Sequence, residues 1–139
     1  MTAEIKMDLG LVFKHLDSLA AELGDESSEF LRGALSGEGS GVRYPHQKRR
    51  SSKRGEYPSK QDGELVRSIA HRALGGGARA VGAINDPPDH AWWLEFMPPG
   101  APGFSRASDE GVRQWATKAL RDPEHHARLN ARLRKEVGP

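Results

Sequence analysis

Between Ser36 and Asp62 the chain offers almost nothing to bury: Val42, Tyr44 and Tyr57 are the only large apolar side chains. The segment opens with SGEGSG at residues 36–41, where glycine and serine disfavour regular structure, so it reads as one long loop or arm. A loop of that length inside a compact domain is either functional or unstructured.

The same segment concentrates charge. Residues 43–60 hold seven basic side chains, Arg43, Lys48, Arg49, Arg50, Lys53, Arg54 and Lys60, against the single acid Glu56. That is +6 in a chain whose total is +2, leaving −4 for the remainder. A protein that coats nucleic acid generally spreads its positive charge over a face, which this pattern does not. The run is open to three readings: a solvated loop, a Lys/Arg-rich targeting signal, or an arm near DNA phosphates without sequence specificity. Its flanking tyrosines, Tyr44 and Tyr57, are not interleaved with the charges as stacking on single strands would require.

Leu, Ile, Val and Phe together make up 26 of 139 residues, which is low for a folded domain. A single domain spanning 1–139 is expected, with a small core that completes its burial against copies or partners. There is no cysteine, hence no disulfide framework and no thiolate metal site. No apolar stretch is long enough to span a bilayer, and the first residues lack a charged-then-apolar secretory pattern, so a cytoplasmically made chain with no membrane partner is expected.

Leu9, Val12, Phe13, Leu16, Leu19, Ala20 and Leu23 recur at spacings of three and four, a continuous stripe on an α-helix that Gly24 ends or bends. Phe30, Leu31, Ala34 and Leu35 make a second short helical face, giving N-terminal helices over 9–35. Residues 65–74 are ambiguous, since Leu65, Val66, Ile69, Ala70, Ala73 and Leu74 fit a helical stripe while Gly75–Gly77 and the run from Ala80 to Ile84 fit a hairpin. HAWWLEF reads as a strand whose Trp92, Trp93 and Phe96 are core candidates, although a strand places Trp92 and Trp93 on opposite faces, which sets one of them against a partner. Glu95 within it alternates outward or is a buried acid. Two helices close the chain: one capped by Ser108 with Val112, Trp115, Ala116, Ala119 and Leu120 facing inward, and one capped by Asp122 with Pro123 in its first turn. The apolar line of the latter is only Leu129, Leu133 and Val137, which fits a helix lying on a surface or a neighbouring subunit.

No catalytic constellation emerges. The six histidines include only one close pair, His125 and His126, which point about 100° apart on a helix and chelate poorly. GGGARAVG lacks the Gly-Lys-Ser/Thr ending of a phosphate loop, and no nucleophile turn is present. The expectation is a non-enzymatic protein with no metal and no cofactor.

Three motifs carry a resemblance. Gly55, Glu56 and Pro58 match a Pro-Gly-Glu-x-Pro-like segment; Gly63, Leu65, Ser68 and Ile69 match Thr-Gly-x-Leu-x-x-Ser-Ile, with Asp62 for the threonine; Leu94, Glu95 and Phe96 match Leu-Glu-Phe-Gly-Thr, with Met97-Pro98 for the last pair. An Arg-Pro-Phe-Leu element survives only as Gly103-Phe104. In order and spacing over residues 9–121 the chain resembles the neck family of long-tailed bacteriophages, also called head–tail connector or tail-completion proteins.

That resemblance implies an α+β fold in which residues 65–74 become a strand. With 79–85 and 90–96 they would form a small antiparallel sheet, flanked by N-terminal helices and by C-terminal helices at 105–137. It implies a virion structural protein at the head–tail junction, assembled in the bacterial host cytoplasm. There it would form a homo-oligomeric ring, six-fold by analogy, between portal-side connector and tail-side terminator or tube proteins, with DNA passing through the bore. Trp92, Trp93, Leu129 and Leu133 are the candidate subunit interface. The basic residues are the candidate docking arm, with non-specific DNA contact. The alternative is a small accessory protein that binds DNA non-specifically through that arm.

Overall fold

The computed structural model describes residues 9–53, 55–96 and 114–138, except for the side chains of Leu9, Trp93 and Phe96. Its elements run α1 (Leu9–Ala34), α2 (Glu64–Ser68), β1 (Ile69–Gly75), β2 (Ala78–Ala83), α3 (Asp89–Phe96), α4 (Trp115–Arg121) and α5 (Pro123–Val137). The class is α+β, as expected: helices around one small antiparallel sheet.

The N-terminal helices are one helix of 26 residues. Gly24 does not end it. A Cβ there would lie 2.6 Å from Nδ1 of His71, so glycine serves the close approach of β1 rather than a helix stop. The second half of α1 supplies Phe30, Leu31 and Leu35 to a core completed by Leu65, Ile69, Ala91, Trp115 and Ala119. Among the described residues the core has eight buried apolar members, and they come from both sides of the loop at 36–62.

The first expected strand begins four residues later than proposed. Residues 64–68 form one helical turn because Gly63 adopts the left-handed conformation at φ 84° and the Asp62 carboxylate accepts from Glu64 N. Ser68 then marks the switch to extended chain. Its hydroxyl donates back to Leu65 O, and its carbonyl accepts from both Ile84 N and Asn85 N. From Ile69 the chain pairs antiparallel with β2, Ile69 opposite Ala83 and His71 opposite Val81, closing through Gly75–Gly77, all at positive φ. The second strand, expected at 79–85, occupies Ala78–Ala83.

The third expected strand, 90–96, is a helix, and among the described residues the sheet has two strands. The reason lies in α4. Ala91 O accepts from Trp115 Nε1 at 3.0 Å, and Glu95 receives the first amides of α4. Helical spacing puts residues 91 and 95 one turn apart, about 6 Å along the axis, so both reach one short partner; strand spacing would separate them by about 13 Å. Of the helix expected from Ser108, Trp115 and Ala119 do face inward, but Leu120 is 73% exposed. Ser108, Val112 and the segment Met97–Phe104 lie outside the described residues. Helix α5 begins as expected, with Asp122 accepting from Glu124 N and Pro123 in the first turn.

Candidate functional site

Two surfaces stand out. The first is the leading part of α1. Its apolar stripe is covered from about Leu19 onward, but Val12, Phe13 and Leu16 are 40%, 57% and 43% exposed. Helix α5 runs antiparallel to α1 and pairs with it where Arg132 meets Glu22, Arg128 meets Glu26 at 2.5 Å, and Ser27 meets His125 at 2.8 Å. Continuing that register, α5 ends near residue 18 of α1, so the opening turns extend past it. Among the described residues the hairpin turn comes close there, with Gly77 beside Leu16. The Asp25–His71–Arg79 chain of polar contacts, at 2.7 and 3.1 Å, ties the hairpin to α1.

The second surface is the loop at 36–62. It is folded back on itself where an extended arm might be drawn from the sequence. Gly39 N donates to Arg50 O, Gly41 N to Ser51 O, Ser51 N to Val42 O, and Lys60 N to Gly37 O, joining the two limbs. Gln47, Ser51 and Ser52 are buried by this fold-back. Polar side chains latch it. Glu56 accepts from the amides of Ser40 and Lys53 and from the Ser40 hydroxyl, Glu38 accepts from Arg50 N, and Gln61 exchanges hydrogen bonds with both backbone groups of Arg49. Those hydrogen bonds, led by the Ser40 hydroxyl, hold the Glu56 carboxyl down to about 2. Tyr57 anchors the loop to the body, donating to Asp122 at 2.7 Å and packing edge-on against Phe30. Burial and that hydrogen bond raise the phenol's pKa, and the same bond lowers that of Asp122.

Most residues singled out from sequence can be placed, the side chains of Trp93 and Phe96 lying outside what the structure describes. Arg43, Lys48, Arg50 and Lys53 are exposed, while Arg49 and Lys60 are half-buried and Arg54 lies outside the described residues. Arg49 donates to Ser36 O and Arg43 to Gln47 O, so both also brace the loop. Gly55, Glu56 and Pro58 line a shallow groove with Tyr57 and Lys118. Gly63, Leu65, Ser68 and Ile69 form the helix-to-strand switch and contribute two core side chains. Leu94 packs against the core, and the Glu95 carboxylate receives the amides of Ala116 and Thr117 and the Thr117 hydroxyl. Trp92 is 56% exposed on α3, whereas Leu129 is half-buried and Leu133 is 37% exposed on α5. The candidate interface thus spans two helices, α3 packed on α4 and α5 packed on both α1 and α4.

Sequence reasoning missed the buried polar ties. His125 is stacked on Phe30 with ring centroids 4.6 Å apart, gives its Nδ1 proton to Ala119 O and accepts from the Ser27 hydroxyl on Nε2. A serine–histidine pair of this kind is a nucleophile's geometry, but both residues are buried between α1 and α5 and act here as a clamp. Among the described residues no three His, Asp or Glu side chains gather as metal ligands, and no helix is long and apolar enough to cross a membrane. No family model matches the chain, and neither a curated protein nor a solved structure does.

Proposed function

We propose that this is a non-enzymatic assembly protein that forms a ring of copies at the head–tail joint of a long-tailed phage. One observation carries the assembly half of the reading: the apolar stripe of α1 continues past the point where α5 covers it, and among the described residues Val12, Phe13 and Leu16 stay partly exposed. Phe13 and Leu16 are about half exposed, so completing their burial is worth about 1 kcal/mol each, half the gain of burying such a side chain from full exposure. A second copy supplies the missing cover, and a small private core is what a ring subunit would be expected to have. The placement at the joint is supported by the resemblance of residues 54–69 and 94–96 to neck proteins. In this structure those motif residues set the helix-to-strand switch, latch the loop and cap α4.

The test is electron microscopy of lysates from the encoding virus with this gene disrupted. Filled heads and finished tails lying unjoined are expected. Intact particles in normal numbers would overturn the reading.

A further inference from the structure

We infer that the loop at 36–62 is a pre-formed cationic platform for the phosphate backbone of duplex DNA, held in shape by Glu56. This does not depend on where in a virion, or whether in one, the protein acts.

The argument begins with how the acids are used. The three carboxylates that border the loop are all engaged by backbone amides: Glu38 by Arg50 N, Glu56 by Ser40 N and Lys53 N, and Asp62 by Glu64 N. Among the described residues, no Lys or Arg of 43–60 forms an ion pair within 4.0 Å of a carboxylate, although the charge of Lys53 acts on Glu56 at longer range, whereas basic residues of α5 pair directly with α1. The acids thus shape the loop and leave the cations to face solvent. Arg43, Lys48, Arg50 and Lys53 are exposed on a backbone cross-linked at Gly39, Gly41 and Ser51. Because the loop is already ordered, the entropic cost that a disordered arm meets on binding is largely absent.

The occupant follows from chemistry. A protein partner would want a charge-depleted, aromatic or aliphatic centre to the patch. Here Val42 is the one large hydrophobic side chain exposed between residues 36 and 53. A polyanion asks only for positive charge along a contour. Sequence-specific reading is not expected, because the run lies on neither a helix nor a two-stranded ribbon that could enter the major groove. Four exposed cations on four phosphates give a log–log salt slope of about −3.6, so affinity should fall about 10²-fold between 50 and 200 mM salt.

The test is fluorescence anisotropy of labelled duplexes of two unrelated sequences, titrated with the full chain across that salt range, with thermal melts confirming the fold of each variant. Both duplexes should bind alike with the stated slope. Lys48→Ser/Arg50→Ser/Lys53→Ser should flatten the slope to about −1, and the single exposed reversal Lys48→Glu should weaken binding in the same direction. Glu56→Gln discriminates most sharply: removing a negative charge should tighten binding if charge alone mattered, but loosening the loop should weaken it several-fold. No binding at low salt, an unchanged slope in the triple variant, or tighter binding by Glu56→Gln overturns the proposal. So does stronger binding to polyglutamate than to DNA, which would point to an acidic protein surface instead.

Discussion

Replacing Glu95 by alanine tests how this small fold closes. Helix α4 has seven residues, and Gln114 at its start provides no side-chain cap. Glu95, buried at 6% exposure, fills that role from α3, accepting from Ala116 N at 2.9 Å and Thr117 N at 3.1 Å. Its negative charge also faces the positive end of α4. Alanine would leave both amides without their acceptor, at about 1–3 kcal/mol each, while relieving the desolvation of the carboxylate. Capping outweighs desolvation here because two amides and a hydroxyl converge on one carboxylate. We expect a net loss of about 2 kcal/mol, at the upper end of capping effects. For a chain of this size that lowers Tm by about 8 °C. Glu95→Gln, which keeps one acceptor oxygen, should lose about half as much. Thermal unfolding followed by circular dichroism gives the answer, with fluorescence of Trp115 reporting on the same junction. An alanine variant melting within about 2 °C of the parent would refute the account of α4.

Other expectations concern the latch and the close approach on α1. The Glu56 carboxyl is held near 2 in the folded protein against an ordinary 4.5. A depressed folded value means its contribution is present above about 4.5 and is lost as pH falls toward 2. Urea midpoints should therefore decline across that acid window, and less so in Glu56→Gln; identical pH profiles would show that the latch is not felt. Gly24→Ala should gain about 1 kcal/mol of helix propensity yet lose more to the His71 ring, which would sit 2.6 Å from the new Cβ. A net loss of about 1–2 kcal/mol in urea denaturation is expected, and a net gain would refute the close packing of β1 on α1.

What could be read from sequence was the local, periodic part. The α1 stripe, the Gly75–Gly77 turn and the Asp122–Pro123 helix start each carry their signal within a few residues, and each is present. The strand expected at 90–96 failed because HAWWLEF is rich in aromatic residues that favour strands locally, while the contacts that decide its form lie more than twenty residues away, at Trp115, Ala116 and Thr117. The same limit hid Arg32, whose guanidinium donates twice to Ile69 O, and the Ser27–His125 clamp, whose partners are 98 positions apart. The loop at 36–62 was recognisable as irregular from its glycines and serines. Its fold-back was not, because the latches are ordinary Glu and Gln side chains whose acceptors meet amides across the loop. Spacing alone places Leu120 inward, but among the described residues nothing packs over that side of α4 enough to bury it.

The central claim is that the uncovered stripe of α1 joins copies of this protein at the head–tail joint. Complementing the disrupted gene with either the parent sequence or Phe13→Ser/Leu16→Ser, and counting joined particles by electron microscopy, tests it most directly. Both side chains are exposed in the single chain, so the variant should fold and melt like the parent. The account predicts joined particles with the parent sequence and separate heads and tails with the variant. Joined particles in normal numbers with the variant would contradict it.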